Sequence, residues 1–353
     1  MRNKRILLPA IVILGLSIAV ATVFLSNNDA DDYDWMMRIS ANGSGNYSVQ
    51  TTYDEGKVGE SFGIGLYDAP IHTANHSLHH SVALHANESL AGYFWVSNQM
   101  TTENDYLIFL LSDYEQVPFF FGEDRVRGVL HPVSLEPFEE RFFRFETDPL
   151  SCGVHDLEIV LVMKPYEHSL ETSFRRSTDF SYLGSKRLNA FVDSTEFPVV
   201  SYANASVLKS RSCGSDYPVN DGLLITRDPC STAGWFTENV TAGDRLDYWI
   251  NAAADDNYPV TFALIPLVDF VQVPVKMNDP VDALFCSLEA GEKISIPASI
   301  IVPEEEGVHE LMVLWVPAPH RQLEGADRVS LDLGQWPWTE PSIRVGLVTG
   351  GAG

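Results

Sequence analysis

Positive charge is scarce in this sequence. Its 23 Lys and Arg stand against 48 Asp and Glu, a formal net charge of −25. Three of those basic residues, Arg2, Lys4 and Arg5, lie at the very start. A surface of that sign repels phosphate backbones, which argues against nucleic acid as a partner. Cysteine is scarce too: Cys152, Cys213, Cys230 and Cys286, with no Cys-x-x-Cys spacing. That argues against a zinc knuckle or a thioredoxin-type site. No Gly-x-Ser-x-Gly elbow marks a nucleophile. There is no D-x-D-x-D-G calcium loop and no Gly-rich phosphate loop; Thr349 to Gly353 reads as a tail, with residues 350–353 flexible. Long amphipathic helical patterns are almost absent beyond residue 25. No catalytic or cofactor-binding residue is assigned, and the chain reads as a binding or structural protein rather than an enzyme.

What is present begins with residues 6–25, twenty uncharged and mostly apolar residues behind a basic start. That length spans a bilayer as a helix, and the charge asymmetry with the acidic residues 28–34 predicts translocation of the bulk of the chain. Cleavage at Ala19-Val20-Ala21 is the alternative. The apolar run continues past that site to Leu25, which favours a retained signal anchor over residues 1–27. The expectation is a single-pass membrane protein with its bulk extracellular. Six Asn-x-Ser/Thr sequons fit that side, at Asn42, Asn46, Asn75, Asn87, Asn204 and Asn239, and are candidate glycosylation sites. Disulfides also fit an oxidising compartment. Cys213 and Cys230 bracket a loop and are the natural local bridge. Cys152 and Cys286 then either staple two parts of the chain together or stay free.

The chain is written twice, at an offset of about 154 residues. Gly153-Val154-His155-Asp156-Leu157 returns as Gly307-Val308-His309-Glu310-Leu311. Gln116-Val117-Pro118 returns as Gln272-Val273-Pro274, Trp95 as Trp249, and Asn87-Glu88-Ser89 as Asn239-Val240-Thr241. This predicts a tether over 28–34 and two tandem domains, 35–195 and 196–349. Within them, runs rich in aromatic and β-branched residues predict strands at 92–97, 105–112, 117–121, 140–146 and 154–163, then at 246–251, 259–265, 270–276, 293–301 and 308–316. The imperfect alternation of Arg141, Phe142, Phe143, Arg144 and Phe145 predicts a bulge. Residues 164–190 read as loop-rich, with short strands at Phe180–Leu183 and Asn189–Asp193. The fold class is all-β: two tandem Ig-like antiparallel sandwiches after one transmembrane helix.

The word order of the second copy is Leu288-Glu289-Ala290-Gly291-Glu292, a strand, then Gly307-Val308-His309-Glu310-Leu311 and a last strand. It resembles prokaryotic Ig-like adhesion and CARDB-type modules, and the resemblance implies β-sandwiches without implying a function. The first copy departs from the pattern, with Pro137-Phe138-Glu139 in place of Ala-Gly-Glu.

Candidate chemistry is sparse. His72, His76, His79, His80 and His85 fall in one stretch and are a candidate ligand set for Zn, Cu or Ni. Asp255-Asp256-Asn257, with Thr102 to Asp105 at the matching place, is the calcium candidate. His155 and His309, being repeat-equivalent, read as half-buried imidazoles bonded to a neighbouring loop. Trp336-Pro337-Trp338 reads as core or as an exposed patch for a protein or a sugar. The leading expectation is a membrane-anchored binding or structural module, or an accessory subunit of a cell-envelope complex, with a protein or envelope-glycan partner. The alternatives are an exported metal-binding protein using the His72–His85 tract, and an exported hydrolase.

Overall fold

The computed structural model describes residues 62–72, 74–78, 80–176, 183–219, 222–276, 280–323 and 339–350. The expected anchor and tether, Asn42, Asn46, His79 and Trp336 to Trp338 lie outside these residues. Among the described residues, no helix is long and apolar enough to cross a membrane.

The described chain is all-β. In the first copy the strands are β1 (Phe62–Tyr67), β2 (Ser81–Leu84), β3 (Ala91–Asn98), β4 (Asn104–Ser112), β5 (Glu115–Val117), β6 (Phe119–Phe121), β7 (Val126–Gly128), β8 (His131–Leu135), β9 (Glu140–Glu146), β10 (Gly153–Met163) and β11 (Leu183–Val192). One sheet runs β1-β3-β9-β6-β7. The other runs β2-β11-β10-β4-β5, with β8 also on β4. Phe94, Val96, Phe143 and Phe145 from the first sheet pack with Ile108, Leu110, Ile159, Leu161 and Leu188 from the second. That is the sandwich core expected of alternating strands.

The second copy has β12 (Arg211–Ser212), β13 (Gly222–Thr226), β14 (Thr237–Asn239), β15 (Arg245–Ala253), β16 (Val260–Val268), β17 (Val271–Gln272), β18 (Val275–Lys276), β19 (Pro280–Val281), β20 (Leu284–Leu288), β21 (Lys293–Ile301), β22 (Gly307–Pro317), β23 (Glu340–Pro341) and β24 (Val345–Thr349). Its topology follows the first copy. β15 lies between β13 and β21 as β3 lies between β1 and β9, and β22 lies between β24 and β16 as β10 lies between β11 and β4. The short strands β2 and β14 join β11 and β24 in parallel, in both copies.

Two expectations are corrected. β9 pairs with β3 residue for residue from Glu140 to Glu146, so it carries no bulge; Arg141 is exposed and folds its guanidinium over the Phe143 ring instead. Residues 183–192 form one strand rather than loop ending in a short strand at Asn189–Asp193, while residues 180–182 of the expected strand Phe180–Leu183 lie outside the described residues. Lys186 and Arg187 break its apolar pattern, yet β11 pairs along its length with β10.

The strands β4 and β10, and their counterparts β16 and β22, are apolar on both faces because both faces are covered. Ile108 and Leu110 point into the first sandwich. Leu107, Phe109, Leu111, Val160 and Val162 point the other way and pack against Ala263, Ile265, Leu267, Met312, Leu314 and Val316. The two sandwiches are therefore joined sheet to sheet by a second apolar core.

Candidate functional site

The joint is the most elaborate polar site of the described chain, and it is built twice. Gln116 and Gln272 lie where the two copies meet. The Gln272 backbone N–H donates to Gln116 Oε1 at 2.9 Å, and the Gln116 backbone N–H donates to Gln272 Oε1 at 2.5 Å. Gln116 Nε2 donates to the Phe270 carbonyl at 2.9 Å, and Gln272 Nε2 to the Tyr114 carbonyl at 3.0 Å. The bonds are reciprocal, as across a two-fold axis. This accounts for the repeated Gln-Val-Pro.

Each copy then fixes a loop to the start of its longest strand. Asp113, in the turn after β4, accepts from the Asp156 N–H at 2.9 Å, and its other oxygen lies 2.7 Å from His155 Nδ1. In the second copy Asp269 does the same for the Glu310 N–H at 2.8 Å and His309 Nδ1 at 2.7 Å. Each imidazole's Nε2 lies 2.9 Å from a carbonyl, of Ser151 or Glu305. The bond to Asp113 raises the His155 pKa against burial. At His309 burial lowers it, and the bonds to Asp269 and Glu305 outweigh that, leaving it raised. Both histidines hold loops, as their equivalence implied.

Beneath them lie two buried carboxylates. Asp156 accepts from Arg187 Nε at 2.7 Å and from the Tyr114 hydroxyl. Arg187 also donates across the joint to the carbonyls of Pro317 and Ala318. Arg344 occupies the register position of Arg187 and donates across the joint in the other direction, to the carbonyls of Met163 and Lys164 at 3.3 and 3.2 Å. The arginines even share an aromatic seat, Arg187 over Tyr114 and Arg344 over Phe270.

The copies differ at two paired positions, Tyr114 against Phe270 and Asp156 against Glu310. Phe270 lacks the hydroxyl of Tyr114, and the longer Glu310 takes Arg175 instead. That arginine, on a helical turn (Thr172–Arg175) between β10 and β11 of the first copy, forks onto Glu310 at 2.9 and 3.0 Å. Arg175, Glu310 and Arg344 are all essentially inaccessible to solvent. Burial lowers the Arg344 pKa to about 10 and raises that of Tyr114. The arrangement ties the copies together. Its carboxylates bond to guanidiniums, and its guanidiniums to carboxylates and to backbone carbonyls of the other copy.

None of Asp113, Arg175, Arg187, Asp269 or Arg344 belongs to a sequence motif. A signal existed for the two aspartates: Asp113-Tyr114 and Asp269-Phe270 stand a few residues before each Gln-Val-Pro. The arginines gave none.

Of the histidine tract, His72, His76, His80 and His85 lie within the described residues. His72 stacks on Trp95 at 4.2 Å, His76 Nδ1 lies 2.8 Å from Asp68, His80 Nδ1 lies 3.4 Å from the Arg187 carbonyl, and His85 Nδ1 lies 3.1 Å from Asp193. Among the described residues no group of three or more His, Cys, Asp or Glu could hold a metal ion. Asp255 folds onto its own turn, accepting from the Asn257 backbone at 2.7 Å and side chain at 3.0 Å. Cys213 and Cys230 form the local disulfide. Cys152 and Cys286 do not pair, which removes the staple: Cys152 is exposed at the start of β10 and Cys286 is buried on β20, in different sandwiches. Asn75, Asn87, Asn204 and Asn239 are all exposed.

No family model and no curated protein matches the chain. Among solved structures it is similar to an ASH/PapD-like domain of human CEP192, at 11% identity and a TM-score of 0.24, over 44% of this chain and 100% of that one. It is also similar to the CARDB domain of a Pyrococcus furiosus protein in complex with di-metal ions, at 11% identity and a TM-score of 0.24, over 41% of this chain and 98% of that one. Red sea bream transglutaminase matches at 9% identity and a TM-score of 0.22, over 82% of this chain and 31% of that one. The chain thus spans about a third of the transglutaminase. These likenesses are a weak structural resemblance to Ig-like modules.

Proposed function

We propose that this chain is a rigid two-sandwich binding module, held at the outer face of a membrane by residues 6–25, that serves as a surface protein or as an accessory subunit of an envelope complex. One observation carries the reading: the residues suited to acid–base chemistry are used, in duplicate, to lock two sandwiches into one body. Reciprocal Gln and Arg contacts fix the relative placement of the two sandwiches, and an Asp–His pair holds a loop within each, which serves presentation rather than turnover. The described sequons support an exterior face, since Asn75, Asn87, Asn204 and Asn239 are exposed, as glycan acceptors must be. The local disulfide is compatible with an oxidising compartment.

The test is mild detergent extraction of the full chain from its native membrane, followed by quantitative mass spectrometry of what co-migrates and of glycans on the four asparagines. A stoichiometric partner and glycan-modified sequons are expected. A chain recovered alone, unmodified and without its N-terminal segment would defeat the reading.

A further inference from the structure

The molecule contains the same turn twice, and one version is made of the wrong residue. Between β20 and β21, the Glu292 N–H donates to the Glu289 carbonyl at 2.9 Å, and the Glu289 N–H donates back to Glu292 Oε2 at 2.9 Å. The third residue of this turn is Gly291, at φ +71°. A turn of this type needs a positive φ there, and glycine is the residue that supplies it without strain. Between β8 and β9 the bonds recur. The Glu139 N–H donates to the Glu136 carbonyl at 3.1 Å, and the Glu136 N–H to Glu139 Oε2 at 2.9 Å. The third residue here is Phe138, at φ +60°.

A bulky side chain at positive φ is an outlier with an energetic cost. Packing does not offset it, because Phe138 is 61% exposed, more than any other Phe, Tyr or Trp among the described residues. The turn is nevertheless held firmly. Pro137 sets the preceding dihedral. Asn98, fully buried, donates through Nδ2 to the carbonyls of Leu135 at 3.1 Å, Glu136 at 3.0 Å and Thr102 at 2.8 Å. Arg141 Nε holds Glu139 at 3.0 Å. A strained aromatic is thus presented to solvent on a rigid tip, at a place where the molecule's own second copy uses glycine. Folding accounts for neither the strain nor the exposure.

We infer that Phe138 is the anchor by which this module docks into an apolar pocket, rimmed by Lys or Arg, of a partner protein. The inference rests on the binding-module reading above. Rigid exposed aromatics are what such pockets take, and little ordering entropy remains to be lost on docking. Charge selects the partner. The Asn98 clamp sets the loop bearing Glu103 beside the turn bearing Glu136, both exposed, on a chain of net charge −25. A cationic rim complements that surface, whereas an anionic bilayer is repelled and a single aromatic inserts weakly.

The experiment uses the full chain in its native membrane, with photoreactive benzoylphenylalanine at position 138 and, separately, at 291 and at the exposed Val207. Phe138→Gly is compared with the parent chain. The melting temperature of Phe138→Gly is expected to be unchanged or higher, since Gly291 shows that glycine suits the turn. Ultraviolet light should join position 138, but not 291, to one protein, at apolar residues flanked by Lys or Arg. The amount of that protein bound should fall roughly tenfold or more in Phe138→Gly and fall with added salt. A lowered melting temperature would make Phe138 structural and overturn the inference, and adducts to lipid alone would make the tip a membrane contact. Protein adducts from Val207 but not from 138 would overturn the anchor and leave the module reading standing. No adduct from any position would defeat both.

Discussion

Replacing Gly346 with alanine tests the joint at its tightest point. A Cβ at that position would lie 2.5 Å from Arg175 Nη2 and 2.6 Å from its Cζ. The guanidinium is the far end of a flexible side chain, but it has nowhere to go. It is fully buried and forks onto Glu310 at 2.9 and 3.0 Å. Relieving the overlap breaks at least one arm of that fork and leaves a buried carboxylate under-paired. Breaking a buried pair outright costs about 3–5 kcal/mol, so about 3 kcal/mol is expected for Gly346→Ala. At roughly 2–4 °C per kcal/mol for a body of this size, the melting temperature drops by roughly 6–12 °C. Arg175→Ala should cost about 3–5 kcal/mol alone, because among the described residues Glu310 then keeps Arg344, 4.0 Å away, and His168. The decisive quantity is the coupling. With Arg175 gone the new methyl has nothing to strike, so the double variant should resemble Arg175→Ala, giving a coupling of about 2–3 kcal/mol. Guanidinium denaturation of the full chain in mild detergent reads all three. Additive losses, or a Gly346→Ala variant as stable as the parent, would refute the reasoning.

Three further outcomes are expected. Gln116→Ala or Gln272→Ala should each cost about 1–3 kcal/mol, since each strands backbone groups of the other copy, and the double variant should cost less than the sum. The folded pKa values of His155 and His309 are raised, so the stability they confer is complete below the ordinary histidine value near 6.5 and lost as pH climbs through the raised values; denaturation from pH 5 to 9 should show the deficit of His155→Gln or His309→Gln shrinking as pH rises, and a growing deficit would reverse the sign argument. A thiol reagent should label Cys152 in the folded protein and Cys286 only after unfolding, because one is exposed and the other buried; Cys213→Ser with Cys230→Ser should cost about 3 kcal/mol for a loop of 17 residues, and prompt labelling of Cys286 in the folded chain would contradict its burial.

Much of the fold was legible where one residue type does one job. Runs such as Tyr106 to Leu111 declared themselves because both faces of β4 are buried, leaving no polar alternation to misread. The repeat was legible at Gln116 and Gln272 because reciprocal contacts demand the same side chain on both sides. β11 was not legible: its Lys186 and Arg187 look like loop residues, and only the tertiary structure shows Arg187 inside, paired with Asp156 on β10. Short strands such as β8 and β20 escaped because two or three inward residues make no periodic signal. The His–Asp pairs were half visible. Equivalence marked His155 and His309 as structural, while Asp113 stands 42 residues away and sits in a turn where aspartate is unremarkable.

The two copies can be read as controls for each other. At the joint, a changed residue is answered by another change. Tyr114 becomes Phe270 with the loss of a hydroxyl, and the carboxylate it served is lengthened to Glu310 and given Arg175. Physical chemistry requires such an answer, because a buried carboxylate left short of a donor is among the costliest defects a fold can carry. At the tip of the β8–β9 turn the change from glycine to Phe138 is not answered. The two bonds that close the turn recur and φ is positive in both, +60° at Phe138 and +71° at Gly291, and no ring contact to Phe138 is among those described. A compensated difference belongs to stability, and selection on folding alone produces it. An uncompensated one, which adds strain and apolar surface together, gives the fold no stability in return. The joint therefore accounts for how the two sandwiches are held together, and the docking inference is tested at Phe138, which the fold leaves exposed.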